Sequence, residues 1–242
     1  MSDGMGFVAK TRLIAGKDLR IEGRAREVLP AMVTFVLAVM LLLAFSLPPG
    51  SRVEERVRFL PGSVSVADVL SGFLWVTVLF AGLIGFARTF ELEREESALD
   101  VLLLVPLDRS GLFLAKAVVN LAFLLVVQVL TIPLFVVLFG LDLGARWAPM
   151  ALVIVLVDLG FVGLGTLFAA VSARARSREL LLPVLALPAL VPIFIAGTEL
   201  TADIFLGASF QTLAERGWFV VLIAFDAIFG IVGALAFDFV LE

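Results

Sequence analysis

The side chains able to do chemistry in this chain are few and unevenly placed. One group is a charged interruption between two apolar runs: Arg88, Glu91, Glu93, Arg94, Glu95, Glu96 and Asp100, then the apolar stretch Val101 to Val105, Pro106, Asp108, Arg109 and Lys116. The other is a set of carboxylates in or beside apolar runs: Asp158, Asp226, Glu199, Asp203 and Asp238. Histidine, cysteine and tyrosine are all absent. The commonest general base and the softest nucleophile are therefore missing. Zinc sites, disulfides and thiol chemistry are excluded with them, and Met alone is left as a weak haem ligand. A phosphate-cradling G-x-x-x-x-G-K-[ST] loop does not occur, because the only Gly-Lys pair, Gly16-Lys17, lacks both the upstream glycine and the following hydroxyl. The chain is expected to be non-catalytic and to hydrolyse no nucleotide itself, so any work it does draws on a partner or an ion gradient.

Each group has a bland reading beside a functional one. An ionisable side chain inside an apolar span is a functional candidate by default, because burying it without a partner is costly; the alternative is an inter-helix hydrogen bond that fixes packing. For Asp158 and Asp226 the sequence leaves both open. Glu199, Asp203 and Asp238 lie near the edges of their apolar runs, and packing is the preferred reading there. The absence of a paired Lys or Arg in any span, and of matched broken helices in the two halves, argues against a secondary transporter. The charged interruption differs from a plain connector in its leucines. Leu99, Leu102, Leu103 and Leu107 form an apolar edge beside the acids, a mixture that suits the groove of a partner. The basic turn from Arg174 through Arg176 and Arg178 to Glu179 faces the same side and offers a second, smaller contact.

The elements that must position these residues are membrane helices. Of 242 residues, 62% are hydrophobic and 17% charged, with mean hydropathy +1.14, against about 45–50% and about 25% in soluble domains. The class is an all-α polytopic membrane protein. The formal net charge of -4 makes nucleic acid an unsuitable partner. Residues 1–27 interleave Lys10, Arg12, Lys17, Arg20, Arg24 and Arg26 with Phe7, Leu13, Ile14 and Leu19, predicting an amphipathic helix at the membrane surface. A six-helix transmembrane domain over residues 28–242 follows. Six spans, five of them of about 20 residues or more, are predicted: 28–47, 66–87, 111–140 (one bent span, with Pro133 expected to kink or break its last third), 147–171, the shorter 180–196 and 218–241. Residues 198–216 are expected to form a half-buried external helix. With the N-terminus inside, thirteen of the 18 Lys and Arg residues fall on one side and five (Arg52, Arg56, Arg58, Arg146 and Arg216) on the other. The positive-inside rule then puts both termini and the 88–111 loop in the cytoplasm.

Two stretches carry a family likeness. Leu99-Asp-Val-Leu-Leu-Leu-Val-Pro-Leu107 followed by Leu114-Ala-Lys116 is the first; Gly163-Leu-Gly-Thr166, the basic turn, and the multi-proline run Leu181 to Ile195 are the second. In their order, and in length and six-span layout, the chain resembles the CcmB family, the haem-exporter permease of cytochrome c maturation. The resemblance implies an ABC-2-type permease-like bundle of six helices in the bacterial inner membrane. It would be paired with a CcmA-like ATPase and work beside CcmC- and CcmD-like membrane proteins and a CcmE-like haem chaperone. ATP and haem would sit on those partners, with no cofactor on this chain. Glu91, Glu95, Glu96, Leu99, Leu102, Pro106 and Leu107 would then form the ATPase-coupling element, with Arg109 and Lys116 anchoring its exit at the lipid headgroups. The competing readings are a permease for lipid, drug or polysaccharide, a non-transporting assembly scaffold, and an ion-coupled carrier.

Overall fold

The computed structural model describes residues 7–25, 27–46, 64–89, 109–173 and 178–240. In chain order the elements are α1 (Phe7–Ala25), α2 (Val28–Ser46), α3 (Val66–Arg88), α4 (Arg109–Leu138), a 3-10 turn (Gly144–Arg146), α5 (Trp147–Ala173), α6 (Arg178–Phe205), α7 (Phe210–Glu215) and α8 (Trp218–Val240). Each of α2 to α6 holds a stretch long and apolar enough to cross a bilayer, and α8 adds a shorter one, Trp218–Gly233, within a 23-residue helix. The chain is an all-helical polytopic membrane protein.

Helix starts follow local chemistry. Ser65 caps α3 by accepting from the Asp68 amide while the Asp68 carboxylate accepts from the Ser65 amide at 2.7 Å. This reciprocal box satisfies two otherwise orphaned donors and explains the carboxylate at the start of that span. On α2 the buried residues Val28, Met32, Val36, Met40 and Leu43 recur at helical spacing and form one stripe, which packs on α3. The opposite side, with Leu41, Leu42 and Phe45, is exposed, as expected of a lipid-facing helix at the rim.

α5 is the centre of the bundle, packing on α6, α8, α4 and α3. Lipid tails are as apolar as leucine, so helix association here rests on close fit rather than on the hydrophobic effect. That fit is reciprocal between α3 and α5. Phe161 of α5 fills the notch at Gly82, where a Cβ would stand 2.3 Å from its ring, and Phe86 of α3 fills the notch at Gly165, where a Cβ would stand 2.5 Å from its ring. The two rings meet edge to face at 4.9 Å. Phe161 also stacks against Phe194 of α6 at 5.2 Å, and Phe194 against Trp75 of α3 at 6.0 Å. The indole N–H of Trp75 ends this row by donating to Thr201 Oγ1 at 2.9 Å. Replacing Thr201 by Val is expected to cost about 1–2 kcal/mol by stranding a buried donor, whereas Thr201→Ser retains the bond. Thermal melts of the detergent-solubilised protein compare the two.

One expectation is corrected. α6 does not stop near Ala196 but continues to Phe205, so Thr198 to Asp203 are helical and the short α7 is the external helix. Pro133 lies inside the continuous helix α4, a single span as expected, and Pro183, Pro188 and Pro192 lie inside α6. Membrane bundles accommodate such prolines because neighbouring groups satisfy the freed carbonyls. Gly85 of α3 is a close-contact position, packed by Met32 of α2.

Candidate functional site: the root of the charged segment

Residues 90–108 lie outside the described residues, and with them Glu91, Glu95, Glu96, Leu99, Leu102, Pro106 and Leu107. Their anchorage is described. The segment leaves α3 at Thr89 and rejoins the bundle at Arg109, the first residue of α4. Lys116, about two turns into α4 and only 3% exposed, ties α4 to the end of α3. Its ammonium donates to the Thr89 carbonyl at 3.0 Å and lies 2.9 Å from Asp18 Oδ2 of α1. The Asp18 contact is a charge pair by proximity, without hydrogen-bond alignment. Thr89 Oγ1 in turn donates to Asn120 Oδ1 at 3.0 Å, and Asn120 Nδ2 donates to Thr166 Oγ1 of α5 at 3.0 Å. One polar chain therefore runs from α1 through both ends of the charged segment into the central helix. Lys116 was assigned to the headgroups by its position at a span end; the structure instead encloses it, because Asp18 and the Thr89 carbonyl supply the charge and the acceptor that lipid headgroups would have offered.

α1 is fastened to this root at several points. Asp18 holds Lys116. Glu22 Oε1 accepts from the backbone amides of Val28 and Leu29 at 2.8 and 3.1 Å, a carboxylate set at a helix N-terminus where unpaired N–H groups and the helix dipole favour it. Phe7 and Thr11 pack against Gly111 of α4, whose missing Cβ leaves room for them. Glu27, just before α2, pairs with Arg88 at 3.0 Å. The basic turn belongs to the same end of the bundle: α5 ends at Ala173, a turn and more beyond Thr166, and α6 begins at Arg178. Arg174 and Arg176 lie outside the described residues, as do the side chains of Arg178 and Arg109.

The intramembrane carboxylates are not gathered into one centre. Asp158, fully buried in α5, accepts from Gln128 Nε2 of α4 at 2.8 Å, leaving Asp158 Oδ2 and Gln128 Oε1 without a partner among the described residues. Asp226 of α8 instead meets α5 at Gly160, where a Cβ would stand 2.7 Å from Oδ1. Glu199 and Asp203 sit at the far end of α6, where Arg216 approaches both, at 3.4 and 3.1 Å. No group of three or more Asp or Glu side chains among the described residues is arranged to hold a metal. An Asn at position 158 can accept from Gln128 Nε2 and donate to its orphaned Oε1. Asp158→Asn is therefore expected to leave the melting temperature unchanged or raise it, while Asp158→Leu lowers it. An Asp158→Asn protein that melts well below the native one would show that the carboxylate itself holds the packing.

Sequence reading missed Asp18, Glu22, Asn120 and Gln128. A signal for two of them was present: Lys116, Asn120, Gln128 and Thr131 fall within one third of the α4 circumference at 3.6 residues per turn, and all four are buried. The CcmB protein family matches this sequence over residues 9–242. The chain belongs to the CcmB family. It is 32% identical to "Heme exporter protein B" of Rhodobacter capsulatus over 190 residues, covering 78% of this chain and 81% of that protein. It is 30% identical to the protein of the same name from Paracoccus denitrificans over 210 residues, 82% and 90% of the two chains, and 26% identical to that of Pseudomonas aeruginosa over 217 residues, 89% of each. The match spans α1 through α8, so the root of the charged segment lies wholly inside the CcmB region.

Proposed function

We propose that this chain is the transmembrane permease subunit of a haem-exporting ABC transporter of cytochrome c maturation. In this reading a separate CcmA-like ATPase hydrolyses ATP, and this chain couples that step to release of a haem-loaded CcmE-like chaperone beside CcmC- and CcmD-like proteins. The observation that carries the reading is the CcmB match over nearly the whole chain, with curated relatives that share the name Heme exporter protein B. The root geometry supports the coupling role: a segment that transmits force needs a stiff anchorage, and Thr89, where the segment leaves α3, is tied to Lys116 and Asn120 of α4, the helix it leads into. In this reading α1 and the adjoining ends of α3 and α4 face the ATPase. Both termini lie on the cytoplasmic side by the distribution of Lys and Arg; Trp147 and Trp218, which open α5 and α8 at the opposite end, mark the outer membrane–water boundary, where such rings concentrate. Haem is cargo or a partner's ligand in this scheme. Met32, Met40 and Met150 are all enclosed in the packed interior, which fits axial ligation by other chains.

The test is co-purification of the ATPase encoded beside this chain, with the native sequence and with Glu95→Ala/Glu96→Ala/Leu99→Ala, scoring haem-stained c-type cytochrome in the same cells. The expected result is loss of the ATPase and of cytochrome c together. Loss of the ATPase with cytochrome c unchanged would make the chain a permease for another cargo, such as a lipid, drug or polysaccharide. If neither changes, the segment is a connector and the chain a scaffold.

A further inference from the structure

The two acids of α1 are both turned toward the protein: Asp18 to Lys116 and Glu22 to the N-terminus of α2. The cations on the other side of the helix have no such use. Arg12, Arg20 and Arg24 are exposed, and among the described residues none pairs with a carboxylate. They recur at steps of two turns and one turn, so they share one side of α1. Between Arg12 and Arg20 stands Gly16, with nothing within 4 Å of where its Cβ would be, so the backbone there is open to an approaching group. Beneath this rim is a groove of about 1510 Å³ between α1 and α4, larger than the roughly 300–1,000 Å³ of ordinary small-molecule sites. Its floor is apolar, with Leu13 and Leu19 from α1 and Leu114 and Val118 from α4. The floor does not end at the groove. Leu125, Val126 and Val129, further along α4, are exposed as well, on a helix that crosses the membrane.

We propose that this groove is a binding site for one anionic phospholipid from the leaflet beside α1. Its phosphate lies against Arg12 and Arg20 over Gly16, and an acyl chain runs down the exposed side of α4. The charge of the rim selects the occupant. A neutral lipid gains nothing from three arginines lacking counter-charges, whereas each basic side chain near an anionic headgroup strengthens binding roughly fivefold. The continuity of floor and lipid-facing surface favours an amphiphile over a soluble partner, which could meet the arginines but not the membrane-buried part of α4. The site is separate from the root, since Asp18, Glu22 and Lys116 face the other way, and the inference stands whatever the cargo.

The experiment is native mass spectrometry of the delipidated full-length protein, titrated with dioleoylphosphatidylglycerol or dioleoylphosphatidylcholine. One phosphatidylglycerol is expected to be retained, with a preference of roughly tenfold or more over phosphatidylcholine. Arg12→Gln/Arg20→Gln is expected to bring the two lipids to parity while the protein keeps its native elution position. Gly16→Leu, which fills the open backbone position, is expected to reduce retention of phosphatidylglycerol. Equal affinity for the two lipids in the native protein overturns the proposal, with no dependence on any variant folding. So does a preference that survives the double substitution, or displacement of the lipid by an equal concentration of inorganic phosphate.

Discussion

Asp18→Asn is expected to lower the stability of this protein by about 3 kcal/mol, the lower end of what breaking a buried ion pair costs. For a chain of this length that corresponds to a fall in melting temperature of roughly 6–12 °C. The figure is large for one surface-helix residue because the cation that Asp18 faces is buried: Lys116 is 3% exposed, whereas Asp18 retains 12%. The reverse change, Lys116→Met, is expected to cost less. It leaves a carboxylate with some access to water, although it also strands the Thr89 carbonyl that Lys116 holds at 3.0 Å. Asp18→Asn/Lys116→Met removes both charges and should recover much of the loss, which a double-mutant cycle measures directly. Exchanging the charges as Asp18→Lys/Lys116→Asp should not recover it, because a carboxylate at 116 cannot donate to the Thr89 carbonyl. A charge-exchanged protein as stable as the native one would show that the pair acts by attraction alone and that the contact to Thr89 is incidental. Where Asp18→Asn still folds at growth temperature, ATPase co-purification is expected to weaken, since the same ammonium holds the Thr89 carbonyl from which residues 90–108 set out.

What the sequence made legible follows from how each feature is encoded. The starts and ends of α2, α3, α5 and α8 match the apolar runs to within a few residues, because a bilayer-spanning helix is defined by its own composition. Proline at 48 and 49 and the polar residues after Ala87 mark ends that no tertiary contact needs to supply. The last turns of α6 show the opposite case. Thr198, Glu199, Thr201 and Asp203 look like the start of a loop, yet the last three each have a partner that lies elsewhere in the chain. Arg216 approaches Glu199 and Asp203 together, and Trp75 of α3 donates to Thr201. Arg146 adds a third support by donating to the Ile204 carbonyl at 3.1 Å, an acceptor it shares with the Gly207 amide. The candidate site divides in the same way. A charged segment with a leucine edge is visible locally, but the pairing of Lys116 with an aspartate 98 positions earlier depends on where α1 docks. Composition does not encode that docking. The family likeness reaches further than the local reading because it compares the order of several elements at once.

Gly165→Val is the substitution expected to do most harm within the membrane. Even a bare Cβ there would lie 2.5, 2.7 and 2.8 Å from three ring carbons of Phe86, all below van der Waals contact. Phe86 has little room to yield, since it is 2% exposed and its ring is set edge to face against Phe161; Phe161 in turn occupies the notch at Gly82. Overpacking a tight core costs about 1–3 kcal/mol for an added methyl and more for a branched side chain, so Gly165→Ala is expected to fold with reduced stability and Gly165→Val to fail to accumulate. The position also touches the proposed coupling path. Thr166, the next residue, accepts the hydrogen bond from Asn120, and Phe86 stands three residues before Thr89. A shift that separates α3 from α5 here therefore pulls on both ends of the polar chain at the root. Shortening the intruding ring tests this cause. Gly165→Ala/Phe86→Leu should melt higher than Gly165→Ala, although Phe86→Leu on its own melts below the native protein by opening space beside Gly165. If the double variant is no better than the more damaged single, the clash with Phe86 is not what Gly165 avoids, and the reciprocal fit of α3 on α5 does not hold the centre of this bundle.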